Sequence, residues 1–286
     1  MDSAISLRNV VKQYDTFQLG GLNLDIPRGC ITGLVGENGA GKTTMLKLIL
    51  GMIHKDQGNI SLYGTMQEEL PEKWRNDVGV IMGELDFASA MNARQIGVCM
   101  EHIFSGWKKK EFGNYLKQFK IDPEKKIKDY SKGMKMKLNL AVSLSHDAKL
   151  LIFDEATSGL DPVVRDEILD ILLDFIQDEN HTVLISSHIT SDLEKISDYI
   201  AFLHEGKLVF FMNKDEMLYD YGVVRCSQEE LSKIPREQIV AVKKSRFQCE
   251  ALVSGREKLG KLAGEFVIDQ TNIEEIILFL VKGERR

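Results

Sequence analysis

The amino-acid sequence predicts an α/β fold built on a parallel β-sheet, followed by a smaller α+β unit. Three observations support this prediction. A glycine-rich turn lies between an apolar strand and a helix at residues 31–50, buried strands alternate with helices over residues 150–211, and the hydrophobic period becomes helical over residues 91–148. Alternating strands and helices are typical of a parallel sheet that helices cover on both faces.

The glycine-rich turn fits the phosphate-loop pattern G-x-x-x-x-G-K-[ST] at every specified position, from Gly36 to Thr43. The preceding segment, Ile31–Val35, has the composition of a buried strand, and the helix that follows ends at Gly51, a residue typical of a helix C-cap. This order directs backbone N–H groups and a helix dipole at one point, where phosphate oxygens bind. We therefore predict that Lys42 reaches the β- and γ-phosphates of a nucleotide and that Thr43 ligates magnesium.

Composition excludes several classes of protein. The 286 residues are 43% hydrophobic and 28% charged, as expected of a soluble globular chain with one large and one small domain. The net charge of −6 argues against nucleic-acid binding. Dispersed cysteines without a C-x-x-C pair predict reduced thiols, and the histidines have no metal-ligand spacing. We expect no signal peptide and no membrane span, so that another polypeptide would hold the chain at a membrane.

Hydrophobic periodicity predicts the other elements of the large domain. The expected strands are 5–12, 22–26, 58–64, 78–82, 150–155 and 182–188, with a hairpin of 199–203 and 207–211. The expected helices include 111–119, 134–144 and 166–177. We place a helical subdomain at about residues 88–148 inside a domain of residues 1–212.

Residues 213–286 are predicted to form a small C-terminal α+β domain. Its segments follow the order β-α-β-β-α-β of a split-βαβ sandwich, and a helix at 273–281 closes the chain. The expected strands are 222–226, 239–243, 247–253 and 266–269, and the expected helices are 228–233 and 256–262. Dimer contact and regulation are the two roles that we consider for this domain.

The phosphate loop by itself also occurs in small-molecule kinases, GTPases and motors. Two acidic residues reduce the number of these classes that fit the sequence. Asp154 and Glu155 end an apolar strand, where an aspartate can organise the magnesium shell and a glutamate can act as general base toward water. An N-K-x-D-type reader of guanine is absent from the sequence, which argues against a GTPase.

Three further motifs give the sequence a resemblance to ATP-binding cassette (ABC) proteins. Ser131 starts a helix a short way before the acidic strand, in the place of the family's signature motif. The segment 158–161 follows the acidic pair, and His188 follows the next strand. A serine at a helix start is often only an N-cap, but here five motifs occur in the family's order. The resemblance covers about residues 5–211.

The resemblance implies a P-loop NTPase fold with a parallel sheet core, an antiparallel β subdomain and a helical subdomain. In the family, two domains pack head to tail, and each ATP lies between the phosphate loop of one and the signature helix of the other. Glu155, His188 and Lys42 would be catalytic, and Thr43 and Asp154 would hold Mg²⁺. The residues that would bind ATP are Tyr14, Gly36, Asn38, Gly39, Ala40, Gly41, Lys42, Thr43, Thr44, Ser131, Gly133 and Asp161.

Individual positions qualify this assignment. Tyr14 has the place of the aromatic residue that stacks on adenine, and an ordinary surface tyrosine is the alternative. Gly83 stands where most relatives have a glutamine that touches magnesium, so either Glu84 makes that contact or the site lacks it. Lys132 replaces a glycine of the signature motif and adds a positive charge near the expected γ-phosphate.

The resemblance implies an ATPase subunit that powers export through a separate integral-membrane permease, at the cytoplasmic side of the cell membrane. The signature, the missing glutamine and the tail resemble a bacterial subfamily that exports antimicrobial peptides, bacteriocins or toxic amphiphiles and includes bacitracin-type and phenol-soluble-modulin-type systems. The alternatives are a soluble ABC protein that acts on ribosomes or DNA and a catalytically weak, regulatory cassette. The sequence identifies neither the cargo nor whether the second ATPase is an identical copy.

Overall fold

The computed structural model describes residues 2–83, 87–155, 157–245, 248–256, 259 and 267–285. Three sheets organise this part of the chain. The central, six-stranded sheet has the order β10-β9-β3-β8-β7-β6, in which only the β9–β10 pair is antiparallel. Its strands are β3 (Ile31–Val35), β6 (Val78–Met82), β7 (Leu150–Asp154), β8 (Thr182–Ser186), β9 (Tyr199–His204) and β10 (Lys207–Asn213).

The central strands are buried because helices and a second sheet cover them. Every residue of β3, β7 and β8 is buried, which explains their continuous runs of apolar residues. The second sheet is antiparallel, with the order β2-β1-β4-β5. Its strands are β1 (Ser3–Gln13), β2 (Gln18–Pro27), β4 (Gln57–Leu62) and β5 (Thr65–Met66). The predicted parallel core and antiparallel sheet are both confirmed.

The helices that flank the central sheet are α1 (Lys42–Ile49), α2 (Ala93–Ile103), α3 (Lys109–Gln118), α4 (Lys132–Leu144), α5 (Pro162–Phe175) and α6 (Thr190–Ile196). Side chains cap the starts of α2, α4 and α5, whereas α1, α3 and α6 have no side-chain cap. Helix α1 has Leu50 as its C-cap, one residue before the predicted Gly51. Gly51 follows with a φ of 65°, and its N–H bonds Leu48 O while the next N–H bonds Lys47 O. The prediction that a glycine closes this helix is confirmed, one residue beyond the C-cap.

Two of the helices that flank the central sheet differ from the sequence prediction. Helix α5 begins at Pro162 instead of Asp166, because the Asp161 side chain caps it and a proline suits the first helical position. Helix α6 was not predicted, since it has only seven residues and no side-chain cap. Helices α2, α3 and α4 account for the helical periodicity between residues 91 and 148.

The third sheet lies in the C-terminal part of the chain and has the antiparallel order β14-β11-β13-β12-β15. Its strands are β11 (Gly222–Cys226), β12 (Ile239–Lys244), β13 (Cys249–Val253), β14 (Ile268–Gln270) and β15 (Glu284–Arg285), and its helices are α7 (Lys214–Asp220), α8 (Gln228–Leu231) and α9 (Ile273–Lys282). Strand β13 lies between β11 and β12, as a split-βαβ unit requires. Helix α7 and strand β15 were not predicted. Most of the predicted helix 256–262 lies outside the described residues, as do Phe247 and Phe266.

One hydrophobic cluster joins the C-terminal sheet to the central domain. Val223 and Leu252 of the sheet, Ile276 of α9 and Leu193 of α6 are buried in the same cluster. The opposite face of the sheet has its own cluster, which includes Val224 and Leu231. Among the described residues, no helix has the length and apolarity that are needed to cross a bilayer.

His146 provides a test of the packing between the helical region and the central sheet. Its ring stacks on Phe104 at 4.0 Å between centroids, and its Nδ1 donates to Asn76 O at 2.9 Å. Burial lowers the pKa of His146 below its ordinary value. The unfolded chain therefore binds this proton more readily, so the stabilisation is complete above the unfolded pKa and is lost as the pH falls through the folded pKa.

We expect the free energy of unfolding to fall more steeply below about pH 6.5 for the wild-type protein than for His146→Gln, by at most about 1.4 kcal/mol per pH unit. Urea unfolding of both proteins over a series of pH values measures this difference. The glutamine variant keeps a hydrogen-bond donor but does not titrate. Equal slopes for the two proteins would contradict the prediction.

Candidate active site

The phosphate loop connects β3 to α1 and has a backbone that only glycine fits at certain positions. A Cβ on Gly36 would lie 2.5 Å from Leu203 O, and a Cβ on Gly41, whose φ is 105°, would lie 2.6 Å from a Leu19 methyl group. Both distances are shorter than van der Waals contact, so side chains are excluded there. The fold itself therefore requires these two glycines of the sequence motif.

Lys42 lies across the mouth of this loop. Its Nζ donates to Gly36 O at 2.6 Å and to Glu37 O at 3.3 Å, and the residue is only 6% exposed. The same Nζ is 3.3 Å from Glu155 Oε1. The ammonium group thus lies between the loop and the acidic strand end, as the sequence motif predicts for a lysine that binds phosphate.

The Asp154 carboxylate joins the phosphate loop to the central sheet. Thr43 Oγ1 donates to Asp154 Oδ2 at 2.6 Å, and Ser186 Oγ donates to Asp154 Oδ1 at 2.6 Å. Asp154 and Ser186 are register partners at the carboxyl ends of β7 and β8. This end of a parallel sheet is where ligands bind in α/β proteins.

Glu155 follows β7 in a left-handed conformation, with a φ of 53°. One of its carboxylate oxygens, Oε2, is hydrogen-bonded to His188 Nδ1. The other, Oε1, is buried and has no hydrogen-bond partner, although it faces the Lys42 ammonium. The structure therefore brings together all five residues that were predicted to be catalytic or to hold a metal: Lys42, Thr43, Asp154, Glu155 and His188.

The donor set of this cluster fits Mg²⁺. The Thr43 hydroxyl and the Asp154 carboxylate are hard oxygen donors in direct contact, and Mg²⁺ in nucleotide sites is bound by a few such groups together with phosphate oxygens. The unpartnered Glu155 Oε1 nearby is an acceptor for a water proton. Gly83 follows directly after β6 and has a φ of 66°. Its N–H donates to Asp154 O at 3.4 Å. Glu84, the proposed substitute for the missing glutamine, lies outside the described residues.

Two aromatic rings lie beside the phosphate loop. Tyr14 is 41% exposed and stacks on Phe17 with 6.5 Å between centroids. Phe17 in turn lies against the loop, since a Cβ on Gly41 would be 3.0 Å from its Cζ. Tyr14 is thus one ring away from the phosphate loop, with an exposed side chain.

The signature residues form a separate surface. Ser131 caps α4 by accepting a hydrogen bond from Met134 N, and Asp161 caps α5 by accepting one from Val164 N. Gly133 packs against the same Val164, 3.2 Å from the position of a Cβ. Within the described residues, no hydrogen bond or ion pair joins Ser131, Gly133 or Asp161 to the phosphate loop. A single chain therefore does not bring the two predicted halves of the ATP site together.

A cavity of about 210 Å³ lies between helix α4 and Glu155. Gly83, Lys132, Glu155 and Leu160 are among its lining residues. The Lys132 ammonium lies against Gly159, at 2.9 Å from the position of a Cβ. The lysine that replaces the usual glycine therefore contacts the segment 158–161 of its own chain.

Comparison with known proteins identifies the family. Residues 19–158 match the family described as ABC transporter. The chain is 35% identical over 220 residues to the bacitracin transport ATP-binding protein BcrA of Enterococcus faecalis, an alignment that covers 76% of this chain and 71% of the relative. This chain belongs to the ABC transporter ATP-binding proteins.

A second relative of this ABC protein is the lantibiotic transport ATP-binding protein SrtF of Streptococcus pyogenes. The two chains are 34% identical over 214 residues, and the alignment covers 72% of this chain and 89% of SrtF. A dimeric post-hydrolysis structure of the ATP-binding cassette MJ0796 with ADP and Pi shares the fold, with a TM-score of 0.66 at 20% identity and with 73% of this chain and 98% of that chain covered. The chain is therefore an ATP-binding and ATP-hydrolysing subunit of an ABC transporter, and the ribosome- or DNA-acting alternative is not favoured.

Two residues at the site of this ABC ATPase belong to none of the sequence motifs. Ser186, which contacts Asp154, lies within the predicted strand 182–188, and no role was predicted for it. Phe17, which lies against the loop, carried no motif. The signal for Ser186 was its position at the carboxyl end of the strand beside β7, where a buried hydroxyl needs a partner.

Two glycines of the loop make a matched pair for substitution, because both have positive φ but only one is enclosed. Gly41 faces Leu19, whereas a Cβ on Gly39 would meet no atom within 4 Å. We expect Gly41→Ala to lower the free energy of unfolding by about 1–3 kcal/mol more than Gly39→Ala, since overpacking is added to the shared backbone strain. Urea unfolding without nucleotide measures this difference, and equal losses would contradict the prediction.

Proposed function

We propose that this subunit powers the export of an antimicrobial peptide or a related amphiphile through a separate integral-membrane permease, at the cytoplasmic side of the membrane. The cluster of Lys42, Thr43, Asp154, Glu155 and His188 is the observation that supports ATP hydrolysis as the source of power. The cargo is inferred from two similar proteins, which are named for the transport of bacitracin and of a lantibiotic.

In the proposed reaction, Lys42 leaves Gly36 O and binds the β- and γ-phosphates, which carry more charge than a carbonyl oxygen. Thr43 and Asp154 would hold Mg²⁺, which neutralises charge on the phosphate oxygens when it is bound. Glu155 Oε1 is the acceptor for the proton of the attacking water, and His188 fixes the carboxylate through Oε2. In this proposal, catalysis therefore comes mainly from the positioning of water and phosphate and from neutralisation of the phosphate charge.

We propose further that two ATPase copies complete the site, with Ser131, Gly133 and Asp161 of one copy facing the phosphate loop of the other. Two observations support this arrangement. Ser131 is exposed at the start of α4, and the first turn of that helix has no acidic residue, so its positive dipole end is not neutralised. The segment 158–161 contacts Lys132, the residue after Ser131, and is partly exposed.

The proposed permease contact is an apolar groove between the helical region and the central sheet. The groove has a volume of about 520 Å³, and Met52, Trp74, Met100, Ile103 and Phe104 are among its lining residues. Met52 and Ile103 are each 62% exposed. Large exposed apolar side chains in one groove are typical of a surface that binds an apolar helix of a partner.

We also propose the domain division 1–212 and 213–286, with a helical subdomain at about residues 88–148. The C-terminal part is attached to the ATPase part through Glu194 of α6. Its Oε1 accepts from Ile273 N at the start of α9 at 2.6 Å, and its backbone oxygen accepts from Lys214 Nζ at 2.9 Å. Since α6 begins two residues after His188, these contacts favour a regulatory role for the C-terminal domain.

Substitution of the proposed general base tests the function. We expect Glu155→Gln to lower ATP turnover by about 10²-fold or more, because the amide cannot accept the water proton. The variant should keep ATP bound and elute as a dimer with Mg²⁺ and ATP in size-exclusion chromatography with light scattering. Wild-type protein should return to the monomer as ATP is consumed.

A second substitution is the control for this experiment. Glu155→Gln combined with Ser131→Arg should stay monomeric with ATP, since the arginine would block the shared surface. A Glu155→Gln protein that never dimerises would contradict the two-copy site. Wild-type protein that does not hydrolyse ATP together with its permease would contradict the proposed power source.

The apolar groove predicts the effect of a single charge on assembly. We expect Ile103→Glu to reduce co-purification of the integral-membrane partner from detergent-solubilised membranes by about tenfold or more, because burying an unpaired carboxylate is costly. ATP binding should not change. Val267→Glu is the matched control, since Val267 is 77% exposed and does not line the groove. Equal recovery of the partner with both variants would exclude the groove as the contact.

A further inference from the structure

Ser186 is a completely buried serine between the two acidic residues of the site. It ends β8 opposite Asp154 and is 0% exposed. A serine hydroxyl has one proton to donate and two lone pairs to accept with. Ser186 Oγ donates to Asp154 Oδ1 at 2.6 Å and accepts from Glu155 N at 3.0 Å. One hydroxyl group thus contacts both consecutive acids, one through its side chain and the other through its backbone.

The contact with Glu155 occurs where the backbone is strained. Non-glycine residues rarely adopt the left-handed conformation of Glu155, because Cβ then lies close to the carbonyl oxygen. The Glu155 N–H is shared between Ser186 O, at 3.1 Å, and Ser186 Oγ. This pair of acceptors on one residue holds the conformation that directs the Glu155 side chain toward Lys42 and His188.

The contact with Asp154 is one of two that hold this carboxylate. Thr43 holds Oδ2 and belongs to the phosphate loop, which contacts the nucleotide in the proposed reaction. Ser186 belongs to the sheet and is shielded from solvent, so its hydrogen bond does not depend on ligand. Hydrogen bonds from hydroxyl groups to carboxylates are short and strong. Removing the hydrogen-bond partner of a metal-binding residue typically lowers the metal affinity or the activity by about 10–100-fold.

We propose that Ser186 is a positioning residue for ATP hydrolysis. Its hydroxyl fixes the orientation of the Asp154 carboxylate toward Mg²⁺ and, at the same time, the backbone of the residue that activates water. The proposal rests on the proposed function of the site. In this proposal, the hydroxyl group of Ser186 fixes the positions of Asp154 and Glu155 relative to each other. The size of the Ser186 side chain does not.

Two nearly isosteric variants isolate the hydroxyl. Both add one methyl group on Cβ, so they match each other in size. Ser186→Thr keeps the hydroxyl, whereas Ser186→Val has a second methyl group in its place. We expect Ser186→Val to weaken the binding of a fluorescent ADP analogue by about 10–100-fold when Mg²⁺ is present but by no more than about twofold in EDTA. Ser186→Thr should stay within about threefold of wild type in both conditions. The Mg²⁺ concentration that gives half-maximal ATPase activity should rise for the valine variant alone.

Ser197→Ala is the control for the loss of a buried hydroxyl. Ser197 is also buried, and its Oγ has no hydrogen-bond partner among the described residues. Its removal should change neither the Mg²⁺-dependent affinity nor the melting temperature by a measurable amount. Thermal unfolding of all variants without nucleotide shows which of them are folded.

The outcomes separate the proposal from its rivals. Equal Mg²⁺-dependent affinity of Ser186→Val and Ser186→Thr would overturn it, whether both resemble wild type or both are weak. Loss of affinity in EDTA as large as that with Mg²⁺ would indicate a merely structural role and would also overturn it. Wild-type protein that gains no ADP affinity from Mg²⁺ would instead contradict the proposed function of the whole site.

Discussion

The short hydrogen bond between Thr43 and Asp154 is the interaction on which the rest of the site depends. It joins the start of α1, which carries the phosphate loop, to the end of β7, which carries the two acids. These groups are about 110 residues apart in sequence, so only the parallel sheet can bring them together. Because both oxygens of Asp154 accept hydroxyl protons, the carboxylate is buried without an unsatisfied acceptor at either atom.

The central sheet explains why function concentrates at one edge. Strands β3, β7 and β8 are parallel and in register, so their carboxyl ends deliver Gly36, Asp154 and Ser186 to neighbouring points. Other parts of the chain supply the remaining proposed contacts. The helical region between β6 and β7 supplies Ser131 and residues of the apolar groove, and the connection between β1 and β2 holds Tyr14.

Much of this arrangement was predictable from the sequence because its signals are local. The phosphate loop, the buried strands and the caps at Ser131 and Gly51 are each encoded within a few residues. Helix α6 was missed because it has only seven residues and no side-chain cap. The start of α5 was missed because Asp161 and Pro162, which cap and begin the helix, precede its apolar residues. The contacts of Ser186 with the acidic pair depend on strand register, which a single sequence does not specify. The proposed pairing of Ser131 with a second phosphate loop depends on another chain.

The position of Lys42 has a consequence for the proposed reaction. Its ammonium group donates to Gly36 O and also lies 3.3 Å from Glu155 Oε1. A phosphate that drew Nζ away from Gly36 O would also separate it from this carboxylate. Binding of the nucleotide and exposure of the proposed base would therefore be coupled through one side chain.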